Sequence, residues 1–354
     1  MNLPQTNLIT FCCLGYNHSK FLKECLDSIV NIGYENVEVV VVDDGSKDNS
    51  VELLEEIKKD FPYPLEIIAQ ANTGKIGWNI NNAIRKAKGQ LISFTSLDDT
   101  FNADAMRTEI NEMNANPDMG FIASTKAIFI DDKGMVDTSR LDLVSHELNN
   151  PTIDDLLELE YREFGAFYIQ GSVIRKDIIN AIGGYDEDMI GDDIILRTKI
   201  FKYMQRHPEL TFKVIKEGNV FYRMHETNIH KNLTRQIETV IEYLDRYWPE
   251  RPNPEILINW MNYTIGKQSF EEYMPLFAIN ERAASLLKEQ RIQQKIKSNI
   301  IKNETTFFQR FIFNKRKKQR KTRVTLLGFI KFSYQRAKKE KRKQQQSVHY
   351  TQYK

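Results

Sequence analysis

Leu91-Ile-Ser-Phe-Thr-Ser-Leu-Asp98-Asp99-Thr-Phe-Asn-Ala-Asp104 is the stretch on which the rest of the chain turns. Leu91, Ile92 and Phe94 are the apolar residues of a buried strand. Asp98 and Asp99 stand where that strand leaves its sheet, and a turn and helix start follow. In open α/β sheets, ligands bind at the carboxyl ends of strands. Two adjacent carboxylates there suit a hard divalent cation that also carries a substrate diphosphate. Asp is equally a turn and N-cap residue, so the pair alone leaves a plain turn open.

The order of elements upstream gives the pair its setting. Leu8 to Leu14 reads as a short central strand, broken by Gly15-Tyr-Asn-His-Ser. Ser19 is placed to cap a helix carrying Phe21, Leu22, Cys25, Leu26, Ile29 and Val30 at helical spacing. Val37 to Val42 is a β-branched strand that also ends in Asp-Asp, Asp43-Asp44-Gly45-Ser46. An amphipathic helix, Val51 to Asp60, a strand, Leu65 to Ala69, and a helix between Gly74 and Lys88 lead into Leu91. This alternation predicts a mostly parallel sheet with helices on both faces. Neither GxGxxG nor GxxxxGK[ST] is present, so the sheet holds its ligand by another device.

Composition bounds the remaining classes. At 354 residues, 41% of them hydrophobic, the chain can build a sizeable core. Of 50 basic and 48 acidic residues, 14 basic and one acidic, Glu340, fall between Lys315 and Lys343. That leaves 36 basic against 47 acidic elsewhere, about −11 on the body. An acidic body with a basic tail argues against nucleic acid as partner. Cys12, Cys13 and Cys25 have neither metal-site spacing nor the number for a disulfide framework. A polar start with Pro4 gives no secretory signal, and no apolar run approaches the ~20 residues that span a bilayer. The expected location is cytoplasmic.

Taken together, Leu8-Ile-Thr-Phe, Tyr16-Asn17-His18, Phe21-Leu22, Cys25-Leu-Asp-Ser-Ile29, Val39-Val-Val-Val-Asp-Asp-Gly-Ser46, Asn72-Thr-Gly74 and Asp98-Asp99 resemble, in order and spacing, the nucleotide-sugar half of a family 2 glycosyltransferase. The resemblance spans roughly residues 7 to 230. It implies a GT-A fold and an inverting transfer of a sugar from a nucleoside diphosphate, UDP first, with dTDP and GDP open. It further implies that Tyr16 packs near the base and Asp44 binds it. Asp98 would touch the ribose, and Asp99 would hold Mg²⁺ or Mn²⁺ against the diphosphate. A cation there offsets the charge that grows on the leaving group. Two positions depart from the family pattern: Leu14 replaces a small or hydroxyl residue, and Trp78-Asn79 stands where Arg-Asn is common. Lys75 or Arg85 is expected to compensate for that arginine; for Lys75 an exposed loop lysine is the plain alternative.

Thr100 to Asn116 reads as a helix, Gly120 to Ile130 as a strand, and Asp131-Asp-Lys-Gly134 as a turn with no assigned role. Val136 to Arg162 is a polar acceptor-side segment. Phe167 to Ile174, then Gly183-Gly-Tyr-Asp-Glu187 and Asp192-Asp193 resemble the family's catalytic half, which makes Asp193 the general base. Displacement at the anomeric carbon requires the attacking hydroxyl to lose its proton. Acids also favour helix N-termini, so a helix start is the plain alternative. Asn219 to Met224 reads as a strand ending at His225, which completes the metal shell, tilting the preference to Mn²⁺, contacts the diphosphate, or lies on a surface loop. Arg223 either neutralises phosphate or pairs with the acidic body.

The expected organisation is a GT-A domain over residues 1–230, a helical extension over 231–313 and a basic amphipathic tail over 314–354. As a helix, Val324, Leu327, Ile330 and Tyr334 share a face, which reads as attachment to an anionic membrane surface through 315–343. The expected activity is transfer from a nucleoside diphosphate-sugar to a hydroxyl of a glycan or lipid-linked acceptor, in synthesis of a cell-surface polymer. A nucleotide-sugar sensor or scaffold without catalysis is the rival from another class. A nucleotidyltransferase would need a Gly-rich basic first loop, which Leu14-Gly-Tyr-Asn17 does not supply.

Overall fold

A computed structural model describes residues 6–139, 143–189, 193–225, 232–311, 323–326, 330–339 and 343–352. The chain divides into two units, Met1–Lys231 and Asn232–Lys354. The first opens with β1 (Ile9–Gly15), α1 (Leu22–Asn31), β2 (Val37–Asp43), α2 (Ser50–Lys58), β3 (Leu65–Ala69), α3 (Ile76–Lys86) and β4 (Leu91–Ser96). There follow β5 (Thr100–Phe101), α4 (Ala103–Ala115), β6 (Met119–Ser124), β7 (Ile128–Ile130), α5 (Ile153–Arg162), β8 (Tyr168–Arg175), α6 (Lys176–Ala181), α7 (Asp193–Met204), β9 (Thr211–Ile215) and β10 (Val220–Arg223).

Seven strands form one sheet in the order β3-β2-β1-β4-β8-β6-β9. Four of its pairings are parallel, and β8 alone runs antiparallel, between β4 and β6. This is the mostly parallel α/β sheet that the alternation of elements predicts. Every residue of β2 is buried, which is why its sequence is a continuous β-branched run rather than an alternation. Ile9, Phe11, Cys13, Val39, Val41 and Leu91 pack with Leu22, Leu26 and Ile29 of α1 and Met106, Ile110 and Met113 of α4 in one core. α3 packs on β1 and β2. The sheet thus delivers the ends of β1, β2 and β4, with both Asp-Asp pairs, to one edge.

The single strand expected from Gly120 to Ile130 is two. β6 stays in the main sheet, while β7 joins β5 and β10 in a small sheet of order β5-β10-β7. Pairing with β10, far along the chain, decides the split. Ser19 does not cap α1. The helix starts at Leu22, and the Ser19 amide donates to Asp48 Oδ2 (3.1 Å), which pins the first loop to the second.

Gly171 interrupts β8 at φ +78°, and Asn219 Oδ1 lies 2.7 Å from where its Cβ would stand. The Asn219 amide donates to Gly171 O (3.0 Å) and to Glu109 Oε2 (3.3 Å). Burial pushes the Glu109 carboxyl well above its ordinary range, against the Asn219 hydrogen bond. A carboxyl raised on folding makes the native state bind more protons than the unfolded one. Its stabilising contribution is complete at acid pH and is lost as pH rises from about 4.3 through the folded value. Glu109→Gln should therefore gain on the wild type as pH rises, by up to about 1.4 kcal/mol per pH unit in that window. Thermal melts from pH 4 to 8 check this; a stability difference that is flat with pH would contradict it.

The second unit contains α8 (Leu233–Tyr247), α9 (Glu255–Lys267), α10 (Phe270–Tyr273), α11 (Glu281–Ser285) and α12 (Gln290–Phe311). Within the helical extension expected over 231–313, the stretch from Phe270 to Leu287 is broken into short pieces, because Pro275 interrupts it and Asn280 caps a new start at the Ala283 amide (2.8 Å). The helix expected around Val324 to Tyr334 is replaced by β11 (Arg323–Leu326), β12 (Ile330–Lys339) and β13 (Lys343–Gln352), an antiparallel sheet. Val, Thr, Phe and Tyr favour extended backbone. Parts of the basic stretch, 312–322, 327–329 and 340–342, lie outside the described residues. Among those described, no helix is long and apolar enough to cross a membrane.

Candidate active site

The turn after β4 is tight: the Leu97 amide donates to Leu14 O (2.8 Å) and the Asp99 amide to Ser96 O (3.0 Å). Consecutive carboxylates therefore point apart. Asp99 Oδ1 accepts the Arg223 amide (2.8 Å) and is buried at 2% exposure. Asp98 Oδ2 instead faces two imidazoles, His225 Nε2 at 2.7 Å and His18 Nε2 at 3.7 Å. His18, Asp98 and His225 are the grouping among the described residues whose ligand atoms lie within 4.8 Å of one another. Asp98 Oδ1 and His18 Nδ1 are buried without a hydrogen-bond partner. Buried polar atoms are ordinarily paired, so this donor set, one carboxylate and two imidazoles, fits a divalent cation. Asp99, expected to hold the metal, gives Oδ1 to the Arg223 amide and stands outside this grouping. Burial and the adjacent Asp98 charge push Asp99 well up, against Arg223. Burial also pushes Asp98 up, but the His225 hydrogen bond and the His18 charge outweigh it and hold Asp98 below the usual range.

Arg223 fixes this turn. Its Nε donates to Asp98 O (2.8 Å), Nη1 to Asp131 O (3.2 Å) and Nη2 to Glu24 Oε2 (2.7 Å), while its guanidinium lies 4.7 Å from the Phe21 ring centre. Arg223 is 1% exposed, and its ion pair with Glu24 is a contact with an acid of the body. Phe21 also stacks on His225 at 5.7 Å. The sequence reading gave His18 no role. Its position three residues past β1, at the carboxyl edge of the sheet, was the available signal.

The two acids after β2 divide their work. Asp43 accepts the Ser46 amide (2.8 Å) as turn chemistry. Asp44, tied to β1 through its amide and Gly15 O (2.9 Å), faces the loop before α3. Its Oδ1 accepts from Gln70 Nε2 (3.1 Å), the Thr73 amide (2.8 Å) and Thr73 Oγ1 (3.0 Å); Oδ2 accepts the Gly74 amide (3.0 Å). Burial pushes Asp44 up, and these hydrogen bonds outweigh it, leaving the group below the usual range. Tyr16, 40% exposed, stands beside Asp44 at the end of β1. Lys75 Nζ donates to Glu187 O (3.2 Å), and Arg85 Nη1 to Glu187 Oε1 (2.6 Å), so both compensating cations are engaged by the turn that precedes α7.

That turn is held against α3. The Asn81 side chain pairs with both backbone groups of Tyr185 (2.9 Å each) and donates to Glu187 Oε1 (3.0 Å). Gly184, at φ +63°, leaves no room for a Cβ against Asn81. The buried Tyr185 hydroxyl then donates to Asp193 Oδ1 (3.3 Å) in the first turn of α7. Asp192 lies outside the described residues. Burial, followed by the charges of Asp99, Asp98 and Asp193, pushes the Tyr222 hydroxyl well up.

Residues 14–183 match the model of glycosyl transferase family 2. Over 199 residues the chain is 24% identical to poly-beta-1,6-N-acetyl-D-glucosamine synthase of Staphylococcus epidermidis, covering 55% of this chain and 46% of that protein. Over 93 residues it is 38% identical to poly(ribitol-phosphate) beta-glucosyltransferase of Bacillus spizizenii, covering 26% and 15%. The chain thus spans less than half the length of these curated relatives. Two solved structures share the fold. TarS 1–349 of S. aureus in complex with UDP-GlcNAc superimposes with TM-score 0.53 at 16% identity, over 85% of this chain and 92% of that one. Mannosyltransferase PcManGT of Pyrobaculum calidifontis, in complex with GDP-Man and Mn²⁺, superimposes with TM-score 0.50 at 14% identity, over 85% and 88%.

Proposed function

Since this chain belongs to the family 2 glycosyltransferases of GT-A fold, we propose that it moves a sugar with inversion from a nucleoside diphosphate, UDP first, to a hydroxyl of a cell-surface glycan or its lipid-linked precursor. The observation that carries this is the meeting of Asp98 with His18 and His225, their ligand atoms within 4.8 Å of one another. Asp98 and His225, with His18, would hold Mn²⁺ or Mg²⁺, and two imidazoles favour Mn²⁺. When bound, the cation supplies positive charge beside the leaving diphosphate. Tyr16 and Asp44 receive the base. Asp193 takes the proton of the acceptor hydroxyl as its oxygen attacks the anomeric carbon. The bond to the diphosphate breaks on the opposite face, so the configuration inverts. Tyr185 holds Asp193 in place through Oδ1.

The poly-beta-1,6-N-acetyl-D-glucosamine synthase and the poly(ribitol-phosphate) beta-glucosyltransferase support a polymeric acceptor, and the neighbour bound to UDP-GlcNAc supports UDP. The 14 basic residues against one acid between 315 and 343 support attachment to an anionic membrane surface, where a lipid-linked acceptor would reside. A panel of UDP-, dTDP- and GDP-sugars, with Mn²⁺ or EDTA, tests the activity, because water serves as a poor acceptor. Release of one nucleotide, lost with EDTA, is the expected result. Binding with no release under any acceptor would favour a sensor, and no nucleotide binding at all would overturn the reading.

A further inference from the structure

α7 opens at Asp193, and Arg197 lies one turn on, on the same side of the helix. Arg197 is almost wholly buried, and so is its partner, Glu160 of α5. The pair is bidentate: Nε to Oε1 at 2.6 Å and Nη2 to Oε2 at 3.2 Å. Nη2 also donates to Phe164 O (3.3 Å), and Glu160 Oε1 accepts the Ala166 amide (3.0 Å). The guanidinium lies 5.8 Å from the Phe167 ring centre. One ion pair therefore binds three pieces of chain: α5, the turn between α5 and β8, and α7.

Two costs are met at this point. Buried ion pairs are weak stabilisers, because desolvation consumes most of their attraction. Phe164 sits at φ +58°, a left-handed conformation that a bulky residue rarely adopts. Such strain persists where surrounding contacts over-determine it, and it clusters at functional sites. Both costs fall at groups that the Arg197 guanidinium holds, and Arg197 lies one helical turn from Asp193.

We propose that Glu160 and Arg197 are positioning residues: their bidentate pair fixes the first turn of α7, and so the direction of Asp193, against the Phe164–Phe167 turn. The inference rests on Asp193 being the base. Misplacing a reacting group by about 1 Å can cost about 100-fold in rate without touching substrate affinity.

The test compares wild type, Glu160→Gln, the double variant Glu160→Met with Arg197→Met, and Asp193→Asn. The readouts are UDP release from UDP-GlcNAc with Mn²⁺, donor Kd by calorimetry, and Tm. The double variant replaces an ion pair by apolar groups, a change that folds commonly tolerate, so it separates positioning from stability. The expected result is a kcat about 10- to 100-fold lower in both Glu160 variants, with donor Kd within about threefold and the double variant still folded. A folded double variant with wild-type kcat, a Kd that worsens as much as kcat falls, or unfolding of both variants would overturn the inference. Undiminished turnover in Asp193→Asn, or no release by the wild type, would instead sink the parent reading and this one with it. Loss in Asp193→Asn alone would sink only the inference.

Discussion

Asp98→Asn is expected to lower metal-dependent nucleotide release by about 100- to 1,000-fold, and Asp99→Asn to leave it within about tenfold of wild type. The two residues are adjacent, yet the turn sends their carboxylates in different directions. Asp98 Oδ1 has no protein partner, and Oδ2 faces His18 and His225. Replacing one carboxylate oxygen by an amide removes the anionic ligand from that set and leaves its shape intact. Asp99 accepts one backbone N–H from Arg223, a duty that an asparagine carbonyl can perform. Release assays at saturating Mn²⁺, together with Mn²⁺ titrations of each variant, separate the two. Equal losses in both variants, or a larger loss in Asp99→Asn, would contradict the assignment.

Asp193→Asn is expected to reduce transfer by about 100- to 10,000-fold while donor Kd changes little. The asparagine can still accept the Tyr185 hydroxyl hydrogen bond, so the first turn of α7 should keep its place. What is lost is the capacity to take a proton from the acceptor. Calorimetry with the donor nucleotide and Mn²⁺ reads the binding side, and single-turnover release reads the chemical side. A fall in binding that matches the fall in rate would mean that Asp193 serves the donor and is not the base.

Much of this arrangement was legible in the residues themselves. The β-branched run Val37–Val42 and the apolar Leu91–Phe94 announce central strands, and each ends in acids where the sheet presents ligands. The division of labour within each acid pair was not legible. It depends on long-range partners: Arg223 claims Asp99, Ser46 occupies Asp43, and the Gln70–Gly74 loop wraps Asp44. His18 is similarly hidden. It precedes α1 in a loop whose course is set by contacts such as the Ser19 amide with Asp48, and only the fold brings its ring to Asp98. The strand expected from Gly120 to Ile130 divides for a related reason, since β7 finds its partner in β10 rather than in the main sheet. Helical spacing in Val324 to Tyr334 misled because the same residues are good strand formers, and local periodicity cannot choose between the two. The Glu160–Arg197 pair carried no local signal, as its members lie in different helices.

Crystals grown with UDP and Mn²⁺, read by anomalous diffraction at the manganese edge, locate the metal. One ordered manganese is expected, bound by the Asp98 carboxylate and an imidazole of the His18–His225 pair, next to the diphosphate. A manganese held by Asp99, or a UDP complex with no metal beside Asp98, would contradict that expectation.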